Sequence, residues 1–186
     1  MRIVAGKFKS KTIASPQSDD IRPTSDRVRE SLFNILANHF GPVMTGTRVL
    51  DLFAGTGALG LEALSRGAEH ATFVDTGVEA RALLRENIQE FGVAGQSRML
   101  RRDATDLGQI QRILPCNLVF LDPPYAKGLG DKALAVAYEG GWIAPEAIVV
   151  LEEQKGVEVK APDGFDLLDE RTYGDTMIHL FKAPAV

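Results

Sequence analysis

Apolar and polar positions along this chain switch between two periods, and the switches mark out its elements. Residues 2–13 carry Val4, Phe8 and Ile13 around Gly6-Lys7, a loose alternation that predicts a small β-hairpin or two short strands. Residues 14–25, ASPQSDDIRPTS, are rich in turn formers and predict a loop. Ser25 or Asp26 then serves as an N-cap for a helix with Val28, Leu32, Phe33, Ile35 and Leu36 at helical spacing, stopped by Gly41-Pro42. From residue 47 strands and helices alternate. Strands are predicted at 48–53, 71–75, 97–101, 118–121 and 147–152. Helices are predicted from the glycine-rich segment through Leu59, Leu61 and Leu64 to Gly67, at 78–91, at 106–114 and at 132–139. Two final strands, 164–172 and 177–182, flank the turn Tyr173-Gly174-Asp175.

Strands that are apolar on both faces and alternate with helices imply an α/β fold, a mostly parallel sheet covered on each side. The terminal hairpin adds an antiparallel edge. The 186 residues, 45% of them hydrophobic, suffice for one compact domain with a small appendage. No apolar run approaches the roughly 20 residues that span a bilayer, and the N-terminus lacks a signal-peptide core. The expectation is therefore a cytoplasmic protein with no membrane partner. The single cysteine, Cys116, precedes an apolar run and reads as a buried structural thiol.

Charge changes the picture by its distribution. The net charge is −4, yet residues 1–29 hold seven basic side chains (Arg2, Lys7, Lys9, Lys11, Arg22, Arg27, Arg29) against Asp19, Asp20 and Asp26, a net of +4. The remaining 14 basic and 22 acidic residues sum to −8. A basic segment on an acidic body is the asymmetry of a local phosphate-binding patch, and equally of a solvated basic strand face. The segment divides the chain into a basic hairpin-and-loop extension, 1–24, and a main domain, 25–186. The histidines His39, His70 and His179 lie scattered without ligand spacing, so no metal site is expected.

Two segments carry candidate chemistry. Asp51-Leu52-Phe53-Ala54-Gly55-Thr56-Gly57-Ala58-Leu59-Gly60 places G-x-G-x-x-G between a strand and a helix. Such glycines allow a tight turn and close backbone approach to a ligand, and nicotinamide dinucleotides use the same spacing. Asp75, followed by Thr76 at the end of the next strand, fits the acid that bonds ribose hydroxyls in either case. Asp51 favours S-adenosylmethionine, because a carboxylate there meets a cationic amino-acid end and repels a pyrophosphate. Asp103, followed by Ala104 after the third strand, is placed to accept from an adenine amine, and reads equally as a solvent-exposed loop acid. The expected cofactor-binding set is thus Asp51, Phe53, Ala54, Gly55, Thr56, Gly57, Asp75, Thr76, Asp103 and Ala104.

The second segment is Asp122-Pro123-Pro124-Tyr125, after the apolar strand at 118–121. Two prolines fix φ, remove two backbone donors and leave a stiff corner rich in acceptors. An exocyclic base amine is a poor nucleophile, since its lone pair is delocalised into the ring. The Asp122 carboxylate and a carbonyl of the proline segment can hold its hydrogens and turn the lone pair outward, while Tyr125 stacks on the base. Asp122, Pro123, Pro124 and Tyr125 are the expected catalytic residues. The geometry suits guanine-N2 and adenine-N6 alike.

With these residues in place the chain resembles the RsmD family, the bacterial 16S ribosomal RNA guanine-N2 methyltransferases. The resemblance rests on Arg2-Ile3-Val4-Ala5-Gly6, on the run from Arg22-Pro23-Thr24-Ser25 to Ser31-Leu32-Phe33-Asn34, on the glycine loop and on Leu121-Asp122-Pro123-Pro124-Tyr125. It covers nearly the whole chain. Asp75 departs from it, standing where relatives often have Glu. The resemblance implies a seven-stranded, Rossmann-like methyltransferase sheet, S-adenosylmethionine as cofactor, and a guanine in small-subunit RNA, within an assembling particle, as substrate. It also implies that the segment 22–29 lies near donor and RNA. Arg2, Lys7, Lys9, Lys11, Arg22, Arg27 and Arg29 are the expected RNA contacts, and a monomer is the expected state. Three rivals stand beside this reading: an adenine-N6 methyltransferase of DNA or RNA, a nicotinamide binder, and a non-catalytic RNA-binding assembly factor.

Overall fold

In the computed structural model, which describes residues 1–16 and 24–186, seven strands form one sheet. In chain order the elements are α1 (Asp26–Phe40), β1 (Arg48–Leu52), α2 (Ala58–Ser65), β2 (His70–Val74), α3 (Val78–Glu90), β3 (Ser97–Leu100), β4 (Cys116–Leu121), α4 (Leu129–Glu139), β5 (Ile143–Gln154), β6 (Asp166–Tyr173) and β7 (Thr176–Lys182). The strand order is β3-β2-β1-β4-β5-β7-β6. The first five strands in that order run parallel, β7 runs against them, and β6 pairs antiparallel with β7. Among the described residues no helix is long and apolar enough to cross a membrane.

The period of two along each strand sorts the core into two layers. Val49, Phe73, Leu118, Phe120 and Ile148 face one side, where they meet Leu32, Phe33 and Leu36 of α1, Leu61 and Leu64 of α2, and Leu84 and Ile88 of α3. Leu50, Leu52, Val119, Leu121 and Val149 face the other side, with Leu134 and Ala137 of α4 and Trp142. Burying each such side chain contributes about 1.5–3 kcal/mol. The switch point of the sheet lies between β1 and β4, where the chain crosses from one half to the other, and open α/β sheets bind ligands beside it.

Three sequence expectations are corrected. The helix predicted over 106–114 is absent. Gly108 (φ 70°) and Arg112 (φ 63°) take left-handed conformations that interrupt helical hydrogen bonding. Tertiary bonds hold the segment instead: the Trp142 indole donates to the Gly108 carbonyl (2.8 Å), and the Ile110 amide to the Gly140 carbonyl (2.9 Å). The N-terminal hairpin reduces to one bridge, Arg2 with Thr12. Its ladder is diverted because the Val4 and Ala5 amides donate to the Glu62 carboxylate (2.9 and 3.1 Å). Gly6, at φ 89°, lies so close to α2 that a Cβ would sit 2.0 Å from the Ser65 carbonyl oxygen.

The third correction concerns Arg29, expected at an RNA surface. It is fully buried on the apolar side of α1. Its Nε lies 3.2 Å from Glu62 Oε1, with both side chains inaccessible, and Nη2 lies 3.0 Å from Asp26 Oδ1. Its guanidinium also donates to the Arg2 and Thr24 carbonyls. Glu62 is satisfied in turn by Arg66 Nε at 3.0 Å. Removing Arg29 takes one of two cations from the buried Glu62 and strips the donor from the Arg2 and Thr24 carbonyls, a loss of up to about 3–5 kcal/mol. Urea unfolding of Arg29→Ala should show that loss; a change within about 0.5 kcal/mol, the range of surface substitutions, would return Arg29 to the surface.

Candidate active site

The strand ends set the site. Leu52 pairs with Val74 of β2 and Leu121 of β4, and Leu121 pairs with Leu151 of β5. Phe53, Asp75 and Asp122, just beyond the ends of β1, β2 and β4, therefore gather along one edge, with Glu152 of β5 level with Asp122. A cleft of about 830 Å³ opens there, well within the range of small-molecule sites. Asp51, Phe53, Ala54, Gly55, Thr56, Asp75, Thr76, Asp103, Asp122, Pro123, Pro124 and Tyr125 all line it. The glycine loop and the Asp-Pro-Pro-Tyr corner, 67 residues apart between Gly55 and Asp122, thus share one cavity.

Gly57 and Ala104 do not line the cleft. Gly57 takes φ 83° at the start of α2, where a Cβ would come within 2.4 Å of Leu84 Cδ1. Ala104 is buried in the second core layer. Of the expected RNA contacts, Arg2, Lys7, Lys9, Lys11 and Arg27 are exposed, and Arg22 falls outside the described residues. Lys7 lies over the Phe8 ring and Lys11 over Phe91, so these cations border an aromatic surface.

Asp51 sits on the cleft floor, 1% exposed, and accepts from the Gly60 amide at 3.1 Å. Burial pushes its carboxyl up to about 8, against the pull of that amide, and the neighbouring Asp75 adds to the rise. Asp75 shapes the loop: its oxygens accept from the Gly55 amide (2.9 Å) and the Gly77 amide (2.8 Å). Asp103 is exposed and accepts from the Thr105 hydroxyl (2.7 Å) and amide (2.8 Å), which hold it below the usual carboxylate range. Phe53 turns the chain out of β1 at φ 59°, a conformation that costs a non-glycine residue on the order of 1 kcal/mol or more.

Four polar side chains that the sequence pattern did not single out complete the corner. The Tyr125 hydroxyl lies 2.7 Å from Glu152 Oε1 and 2.7 Å from Thr176 Oγ1. Thr24 Oγ1 lies 3.3 Å from both Asp122 Oδ2 and Glu152 Oε2. Glu153 Oε1 accepts from the Ala126 amide at 2.9 Å, fixing the chain just past Tyr125. The one available signal was a pair of glutamates closing an otherwise apolar strand beside the strand that ends in Asp122.

The donor and acceptor set fits S-adenosylmethionine better than a dinucleotide. Asp75, Asp103 and Asp122 face the cavity beside Asp51, and carboxylates repel a pyrophosphate. A cation beside Asp51 offsets the burial of its charge. Among the described residues no three His, Cys, Asp or Glu side chains gather as a metal site.

This topology and this cleft define a Rossmann-like methyltransferase. The family model described as "Conserved hypothetical protein 95" matches residues 1–182, and the chain belongs to that family, the RsmD family. It is 36% identical over 187 residues to the ribosomal RNA small subunit methyltransferase D of Escherichia coli K12, covering all of this chain and 91% of that one. A solved structure of a putative methyltransferase, yhhF, from Escherichia coli superimposes with TM-score 0.84 at 34% identity, covering all of this chain and 99% of that one. The 16S rRNA N2 G1207 methyltransferase (RsmC) of Thermus thermophilus, solved with AdoMet and guanosine, shares the fold at TM-score 0.67 and 17% identity, over 89% of this chain and 45% of that one.

The raised Asp51 carboxyl predicts pH-dependent binding of a cationic ligand. In the folded protein its carboxyl is protonated below about pH 8, whereas in the unfolded chain it ionises near its ordinary value of 3.8. Its contribution to stability is therefore full at low pH and is lost as pH rises toward 8. A ligand with a cationic amino-acid end selects the ionised form. Calorimetry should show S-adenosylhomocysteine releasing a proton at pH 7, with affinity rising by up to about tenfold per pH unit toward pH 8. Asp51→Asn should abolish the dependence; a flat profile in the unsubstituted protein would contradict the assignment.

Proposed function

We propose that this protein is an S-adenosylmethionine-dependent methyltransferase of ribosomal RNA that modifies the N2 amine of a guanine in the 16S RNA of the small subunit. The observation that carries the reading is the single cleft lined by Asp51 and Gly55 on one side and by Asp122 and Tyr125 on the other. The restriction to small-subunit RNA draws on the name of the Escherichia coli relative, and the guanine on the family resemblance. Exposed Arg2, Lys7, Lys9, Lys11 and Arg27 supply phosphate contacts beside the Phe8 surface.

The cofactor supplies an electron-poor methyl group on a sulfonium centre. Asp51 pairs with the cationic end of the donor, Asp75 with its ribose, and Asp103 with its adenine amine. Phe53, Ala54, Gly55 and Thr56 give the loop that lies against it, with Thr76 beside Asp75. At the other side Asp122 accepts a hydrogen of the base amine, keeps the nitrogen lone pair out of conjugation and receives the proton released on methylation. Pro123 and Pro124 withhold competing donors, and Tyr125 packs on the base. Alignment supplies most of the rate, since a held near-attack geometry can be worth about 7–11 kcal/mol. Asp122 need not be a strong base, because the nitrogen becomes acidic only as the methyl arrives.

Asp122→Ala should bind S-adenosylhomocysteine within about twofold of the parent and lose methyl transfer by about 10²–10⁴-fold. Nucleoside mass analysis should show N2-methylguanosine. Unchanged turnover would refute the role of Asp122; N6-methyladenosine as sole product would move the substrate to adenine; and NAD binding without S-adenosylhomocysteine binding would overturn the donor.

Replacing Lys7, Lys9 and Lys11 with Ala should weaken RNA binding and reduce the slope of log K against log salt by about 2–3. A change confined to donor affinity would contradict the patch.

A further inference from the structure

We infer that Glu152 is a positioning residue that holds Tyr125 and Asp122 in one arrangement before the base arrives; the inference rests on the function proposed above. Parallel pairing of Leu121 with Leu151 sets Glu152 directly beside Asp122 at the sheet edge. The side chain is 9% exposed, and among the described residues each of its oxygens has a hydroxyl partner. Oε1 accepts the Tyr125 hydroxyl hydrogen at 2.7 Å. Oε2 lies 3.3 Å from Thr24 Oγ1, which is equally far from Asp122 Oδ2.

The hydrogen count fixes directions. Tyr125 has one hydroxyl hydrogen, and a carboxylate only accepts, so that hydrogen goes to Glu152. Thr176, 2.7 Å from the same hydroxyl, must then donate to the Tyr125 oxygen. Thr24 has one hydrogen and two carboxylates at 3.3 Å, so it stands between them and donates to one at a time. Tyr125 is thereby fixed at its backbone by Pro123, Pro124 and the Ala126–Glu153 bond, and at its hydroxyl by Glu152 and Thr176. A wall fixed in advance leaves less freedom to lose when the base binds. Because a displacement of about 1 Å can cost on the order of 10²-fold in rate, the effect belongs in kcat and not in donor affinity.

The test compares Glu152→Ala, Glu152→Gln and Tyr125→Phe, alone and combined, with small-subunit RNA as acceptor. Glu152→Ala should lower kcat by about 10- to 100-fold, with the Kd of S-adenosylhomocysteine changed by less than about twofold. Glu152→Gln should recover most of the loss, since the amide oxygen still accepts from Tyr125. In the Tyr125→Phe background Glu152→Ala should cost much less, because the two side chains act as one unit. Parental kcat in Glu152→Ala, equal losses in both backgrounds, or Gln as damaging as Ala would overturn the inference. If Glu152→Ala fails to fold, Thr176→Val removes the second tether and should reduce kcat in the same direction; unchanged kcat there overturns it too. A parent protein that methylates no ribosomal RNA overturns the functional reading and this one together, whereas an active parent indifferent to Glu152 overturns this one alone.

Discussion

Parallel strand register is the constraint on which the site depends. β1, β2 and β4 end at one level because Leu52 is paired with Val74 and Leu121, and Leu121 is paired with Leu151 of β5, which continues past that level to Gln154. Their ends place carboxylates side by side, and the side-chain period of two decides which face each one meets. A slip of one residue would turn every one of them to the opposite layer. The hydrophobic layers on both faces enforce the register, since Phe120 and Leu121 cannot exchange sides without unpacking α1 or α4. The chemistry at the edge is therefore held by apolar packing some distance away.

Gathering acids in one place works against folding, and the local backbone offsets it. Asp51 accepts from Gly60, Asp75 from Gly55 and Gly77, Asp103 from Thr105, and Glu153 from Ala126. Those bonds also shape the turns, so the glycine loop owes its form to the carboxylates of Asp51 and Asp75, which line the cleft. The N-terminal segment is tied into this frame twice. Glu62 holds Val4, Ala5 and Arg29, while the buried Asn87 accepts from the Ala14 amide and donates to the Thr56 carbonyl of the cleft-lining loop. The basic segment and the glycine loop thus share supports.

The fold was readable where local pattern and tertiary packing agree. The strand ends at Asp75 and Asp122, the glycine loop between β1 and α2, and the terminal hairpin follow from period and turn residues alone. Where they disagree, tertiary bonds prevail. The apolar spacing of Leu107, Ile110 and Ile113 resembles a helix, yet Gly108 and the Trp142 indole hold that stretch as an irregular cover over the second layer. Arg29 was misplaced by charge although its spacing to Leu32, Phe33 and Leu36 already set it on the inner side of α1. Within the site, Asp51, Asp75 and Asp122 were visible because motif and strand end coincide. Glu152 and Thr176 were not, since lateral neighbours in a sheet are distant in sequence and only register joins them, while Thr24 lies in the 22–29 segment that the resemblance set near the donor.

The most direct test of the account is a crystal structure of the protein with S-adenosylhomocysteine. The account predicts the amino-acid end beside Asp51, the ribose beside Asp75 and the sulfur turned toward Asp122 and Tyr125. Ligand density away from the Gly55 loop, or a sulfur facing away from Asp122, would contradict it.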